Sequence, residues 1–208
     1  MTFAEKIARI YAGRWSTESG KFALPERTTV IMKATHGATC DRLANGSVAT
    51  AMYAAELNGT KVYFSSYSGN PPGAKEVLLT RKLLPGAVHI GAIPTTSAEA
   101  TALRAEIDKE LWEPVTMAIV TDEFNSCRTK DIYQLFFPRT KIFVAALPIA
   151  DTFDPESPIL NFRNLDRAIW WETLIPAIPF WIMTHTGLLG KRLLVWLSNR
   201  VAQTAAQA

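Results

Sequence analysis

The chain has 208 residues, 48% of them hydrophobic and 20% charged, with a formal net charge of +3. That length supports one domain with a real core, and the composition is that of a globular protein rather than a disordered or fibrous one. So small a net charge excludes a protein that works through a broad basic field on nucleic acid. Two cysteines, Cys40 and Cys127, make no disulfide framework, and no Cys/His spacing of the zinc kind is present.

The first fifteen residues, MTFAEKIARIYAGRW, place Glu5, Lys6 and Arg9 where a signal peptide needs an apolar stretch. Ile7, Ile10 and Tyr11 instead fit one face of a helix, and a cytoplasmic location is expected. Short apolar runs then alternate with helical patterns. Residues 28–33 (TTVIMK) read as a strand, and 42–57 as a helix with Val48, Met52 and Ala55 inward. Strands follow at 61–65, 87–92, 116–121 and 141–146, separated by helices over 73–84, 97–110 and 127–137. Strands alternating with helices imply right-handed βαβ units on a parallel sheet. The expectation is a single α/β domain, Rossmann-like and three-layered (αβα), with about five parallel strands. Its core spans 28–147, after an N-terminal lead-in over 1–27 and before a helical C-terminal extension over 148–208.

After Leu147 the composition changes. Residues 151–158 (DTFDPESP) are a turn-rich loop, and 164–200 contain four of the six tryptophans. Pro176 and Pro179 break any helix there, Gly187 and Gly190 interrupt it again, and the apolar runs are too short to span a bilayer. Helices capping the sheet edge explain this region. So does a membrane-surface or self-association face built from Trp181, Leu188, Leu189, Leu193, Leu194, Trp196 and Leu197 beside Lys191 and Arg192.

The chemistry is expected in the loops at the strand ends, where open α/β sheets place ligands. The stretch from Met117 to Phe137 is the most informative: an apolar strand, a polar loop, then a helix whose free N–H groups favour an anion. In it Thr121 and Asn125 offer hydrogen bonds, Asp122 and Glu123 fit a general base or metal ligands, and a solvated acidic loop is the competing explanation. Arg128, placed by the pattern in the first helical turn, opposes the helix dipole, and a residue that breaks a local rule is a functional candidate. After the first strand, Gly37 permits a tight turn, Arg42 fits a phosphate or carboxylate, and His36 is a candidate base; Thr39 and Asp41 fit helix caps. After the third, Thr96 and Glu99 match capping-box spacing, and Ser97 or Thr95 is placed to face a ligand. Ser68, in a hydroxyl-rich loop after the second strand, suits a rim. His89 and His185 fall in apolar patterns and read as structural. Neither the Rossmann glycine fingerprint nor a P-loop is present.

In order, Arg42, Ser68-Gly69, Glu76, Thr96-Ser97-Ala98-Glu99-Ala100 and Val120-Thr121-Asp122-Glu123-Phe124-Asn125-Ser126-Cys127-Arg128 resemble the motifs of the YdcF/SanA/ElyC-like domain family, over about residues 28–146. The chain departs from that pattern at Asn125, where the family has His, in a glycine turn reduced to Gly37, and in a degraded Ser-Gly-Gly turn. The resemblance implies a Rossmann-like domain of poorly defined role. Some members are linked to bacterial envelope and polysaccharide metabolism, and one is reported to bind S-adenosylmethionine. Three functions are therefore expected in competition. One is an enzyme on an anionic nucleotide, nucleotide sugar or sugar phosphate, with Arg42 and Arg128 on the anion and Asp122, Glu123 or His36 moving protons. Another is a binding module for S-adenosylmethionine or a nucleotide. The third is an accessory protein peripheral to the inner membrane.

Overall fold

The computed structural model describes residues 29–57, 59–110, 112–168 and, beyond these, 170, 186, 187, 189, 190, 192, 193, 195 and 196. The lead-in helix, His185 and much of the tryptophan-rich segment lie outside the described residues. Five strands, β1 (Thr29–Lys33), β2 (Lys61–Tyr67), β3 (Val88–Ile93), β4 (Thr116–Asp122) and β5 (Lys141–Leu147), form one sheet in the order β3-β2-β1-β4-β5. Every pairing is parallel. Between them run α1 (Asn45–Glu56), α2 (Glu76–Leu83), α3 (Thr96–Lys109) and α4 (Glu123–Phe136).

Strand side chains alternate between the two faces and feed two separate cores. Val30, Met32, Tyr63, Met117 and Ile119 join Leu103 and Ile107 of α3 and Ile132, Tyr133 and Phe136 of α4. Ile31, Phe64, Ala118 and Val120 join Ala51 and Ala54 of α1 and Leu84 beyond α2. The result is a three-layer, Rossmann-like α/β fold. Its chain runs outward from β1 through β2 to β3, then crosses back to β4, so β1 and β4 are neighbours whose following loops part in opposite directions. That parting is the switch point at which such sheets open a crevice.

Two helices differ from the sequence pattern. Helix α1 buries Gly46, Ser47, Thr50, Ala51 and Ala54, whereas Met52 is 56% exposed and Ala55 is in solvent. Size rather than apolarity chooses the face: a Cβ on Gly46 would meet His36 Cγ at 2.7 Å, so only small residues let the helix come this close. Its first N–H is satisfied by neither Thr39 nor Asp41. The Asn45 N–H donates to the Asp154 carboxylate (2.9 Å), across 109 residues. Helix α4 begins at Glu123, four residues earlier than expected, because Asp122 caps it by accepting from the N–H groups of Phe124 (2.9 Å) and Asn125 (3.0 Å). Arg128 therefore lies beyond the first turn, and its expected conflict with the helix dipole does not arise.

Residues past β5 are folded back over the strand ends. A short helix α5 (Ile149–Thr152) leads through Asp154 to a 3-10 turn (Leu160–Phe162) and α6 (Leu165–Ala168). Arg42 grips this segment with both guanidinium arms, donating to Asp154 at 2.7 and 3.0 Å and to Glu156 at 2.6 Å. Farther on, Val195 packs against the α3/α4 core. Among the described residues no helix is long and apolar enough to cross a membrane.

The Arg42 hydrogen bonds hold the Asp154 carboxyl down from its ordinary 3.8 to about 2, against the opposing effect of burial. A depressed carboxylate contributes stability that is present above its unfolded value and lost as pH falls through its folded value. Asp154→Ala is expected to cost about 2 kcal/mol at neutral pH, from the cap and the half-exposed ion pair together. The difference from wild type should shrink as pH falls from about 4 to about 2. Urea denaturation across that range checks it, and a pH-independent loss would contradict the account.

Candidate functional site

A cleft of about 310 Å³ opens at the switch point, near the lower end of the roughly 300–1,000 Å³ usual for small-molecule sites. One wall is Ala34, Thr35 and His36 after β1; the other is Thr121, Asn125, Arg128, Thr129 and Ile132 from β4 and α4. Pro94, Thr95, Thr96, Ser97 and Glu99 contribute the third side, where α3 begins. Tyr67 and Ile93 border it, and Ile159, Asn161 and Phe162 from the returning segment complete the lining.

Asp122 organises the wall between β1 and β4. It is completely buried at the last position of β4. Besides its two cap bonds it accepts from Asn125 Nδ2 (2.6 Å) and meets His36 Nε2 at 3.1 Å. Burial alone would raise this carboxyl, but the bonds from His36 and Asn125 more than offset it and hold the group below the usual carboxylate range. An ionised Asp122 has no proton to give, so the proton in its contact with His36 belongs to Nε2. Whenever the imidazole is neutral its lone pair is then on Nδ1, an atom that is buried and has no hydrogen-bond partner. Gly46 lies against one part of the ring, Phe162 packs on it at a tilt of 60° with centroids 4.9 Å apart, and the backbone N–H of His36 donates to Ser47 Oγ (3.0 Å). Asn125 extends the array, because Arg128 donates to its Oδ1.

A second buried array lies beneath. Lys33, the last residue of the central strand, is fully buried and donates to Ser47 Oγ (3.4 Å). Burial lowers its pKa, and the nearby carboxylates of Glu76 and Glu99 work against that shift. Glu76, 2% exposed, accepts from the Tyr67 N–H (2.8 Å), from Asn70 Nδ2 (2.6 Å) and from Thr35, which ties the loops after β1 and β2 together. Glu99 accepts from Ser65 and from the Tyr133 hydroxyl (3.0 Å). Burial pushes its carboxyl above the usual range despite these donors and the neighbouring Lys33 and His36.

Seven expected residues therefore come together on the cleft: His36, Thr96, Ser97, Glu99, Thr121, Asn125 and Arg128. Asp122 lies immediately behind His36. Four are placed elsewhere. Arg42, expected on an anion, is consumed by Asp154 and Glu156. Gly37, at φ +80°, shapes a turn against Pro158, where an added Cβ would collide with the proline ring. Ser68 is exposed outside the lining, with its N–H on the Ile93 carbonyl (3.2 Å). Glu123 occupies the first turn of α4, outside the lining, where an acidic residue suits the dipole. The expected Thr96/Glu99 capping box is not formed: Thr95 caps α3 by accepting from the Ala98 N–H (3.2 Å), and Glu99 turns inward instead. His89 lies outside the lining and meets Ser66 Oγ at 3.0 Å.

Lys33, Tyr133, Ser65 and the 159–162 wall escape sequence reasoning. A lysine ending a strand reads as emerging into solvent, and only the central place of β1 buries it. Among the described residues no group of three or more His, Cys, Asp or Glu side chains is arranged to hold a metal. Comparison of the chain with family models, curated proteins and solved structures returned no match.

Replacing Tyr133 by Phe removes a donor from the buried Glu99 carboxyl. A carboxyl whose folded pKa is raised contributes stability at low pH that is lost as pH rises through that value. Tyr133→Phe, which raises it further, is expected to cost about 1–3 kcal/mol at neutral pH and less in acid, where Glu99 is neutral anyway. Chemical denaturation at both conditions checks this, and a cost that did not grow with pH would contradict it.

Proposed function

We propose that the cleft binds a small anionic molecule, a nucleotide, nucleotide sugar or sugar phosphate, and that His36 moves a proton on it. The observation that carries this is the His36–Asp122 pair, with a buried and unpartnered Nδ1, on a residue that lines the same cleft as Arg128. A carboxylate behind an imidazole fixes its tautomer, orients the ring and stabilises the imidazolium that forms when it accepts a proton. Arg128 is suited to hold a phosphate or carboxylate. The start of α3 fits the same anion. Helices α1 and α4 are capped by the carboxylates Asp154 and Asp122, whereas α3 is capped by the neutral hydroxyl of Thr95, beside Thr96 and Ser97.

In this mechanism the anion rests between Arg128 and the first turn of α3. Nδ1 of His36 takes a proton from a water or a substrate hydroxyl, and Asp122 balances the charge. Asn125, which donates to Asp122 and accepts from Arg128, couples the base to the anion holder and does not itself titrate. The YdcF-like kinship belongs to the same proposal and rests on the order of the motifs. With it comes the rival possibility of a non-catalytic module for S-adenosylmethionine or a nucleotide.

A thermal-shift screen of nucleotides, nucleotide sugars, sugar phosphates and S-adenosylmethionine, with and without magnesium, tests the proposal. A ligand at about one hundred times its Kd adds roughly 2.7 kcal/mol to apparent stability. The expected result is a shift with a phosphorylated compound that Arg128→Ala abolishes. In turnover assays on that compound His36→Ala should lose about 10²–10⁴-fold in kcat while still binding. A shift without turnover in the wild type supports the binding module instead. A shift indifferent to Arg128 overturns the site.

A further inference from the structure

We infer that the exposed apolar and basic residues among those described from Leu160 onward dock on an anionic bilayer surface. The turn Leu160–Phe162 has two sides. Asn161 and Phe162 line the cleft, while Leu160 is 50% exposed and continues into the exposed residues Arg163, Arg167 and Trp170. Farther along, Leu189, Leu193 and Trp196 are helical and spaced i, i+4 and i+7, which places them on one face. All three are exposed, Leu189 by 72%, whereas Gly190 is buried and Val195 packs on the core. Large apolar side chains facing water beside arginines mark an interaction surface.

Charge selects the partner. Residues 160–208 contain five lysines and arginines (Arg163, Arg167, Lys191, Arg192 and Arg200) against Asp166 and Glu172, a net +3 that equals the charge of the whole chain. The preceding residues therefore balance to zero. The same segment holds Trp170, Trp171, Trp181 and Trp196. A net positive excess in a tryptophan- and leucine-rich segment is the pattern of interfacial binding to acidic lipid: the aromatic and aliphatic groups enter the headgroup boundary while the cations stay near the phosphates. A protein partner of ordinary composition would not require this separation. Such docking sets one wall of the cleft close to the membrane plane.

Cosedimentation of the full chain with phosphatidylcholine vesicles, with and without phosphatidylglycerol, tests this. The protein should partition at least about tenfold better to the anionic vesicles and be released by high salt. Arg167→Glu with Arg192→Glu should lower that partition by roughly tenfold or more, and Leu189→Ser with Leu193→Ser should also lower it. All four residues are exposed, so circular dichroism should match the wild type. Equal binding to both vesicles, no binding to either, or unchanged binding of both double variants overturns the inference, as does a stable dimer in solution that buries this face and excludes vesicles.

Discussion

A single carboxylate at the end of β4 holds the centre of this molecule. Asp122 finishes a strand that is buried throughout, starts α4 by capping it, pulls Asn125 inward and meets His36 across the switch point. Each contact satisfies a group that burial would otherwise penalise. Because all of them favour the ionised form, the group stays charged in a place where desolvation opposes charge. The crevice between β1 and β4 is a topological consequence of the strand order, and the contact between its two walls at His36 depends on this one residue.

The same economy recurs around the sheet edge. Asp154 joins the returning segment to α1 and to Arg42. Glu76 joins the β1 and β2 loops, and Glu99 joins β2, α3 and α4 through Ser65 and Tyr133. Lys33 belongs to the same buried array, where burial lowers its pKa and Glu76 and Glu99 work against that shift. Buried polar and ionisable groups are tolerated where they are bonded to one another, and each of these bonds joins two or more elements at the sheet edge.

Much of the fold was legible because it rests on local pattern. Strand runs such as VIM before Lys33 and MAIV before Thr121 are short, apolar and bounded by polar loops, and alternation with helices implies the parallel sheet. The helix-facing errors have physical causes. Met52 is apolar but too large for the contact α1 makes, and the start of α4 depends on a cap that the apolar periodicity does not register. The cleft was legible as three strand-end loops, since strand ends converge in any open α/β sheet. The fate of Arg42 was not, because its partners Asp154 and Glu156 lie more than a hundred residues away in a loop with no periodic signal. Tyr133 and Ser65 likewise carry ordinary core and strand patterns, and only tertiary packing brings them to Glu99.

An ionised Asp122 holds the proton of a neutral His36 on Nε2 and leaves the lone pair on Nδ1. Nitrogen-15 NMR of the His36 side chain, in wild type and in Asp122→Asn, tests this most directly. The expected result is a protonated Nε2 and an unprotonated Nδ1 in the neutral wild-type ring, with that preference weakened or lost in Asp122→Asn. A proton on Nδ1 in the neutral wild-type ring, or an identical tautomer in both proteins, would contradict it.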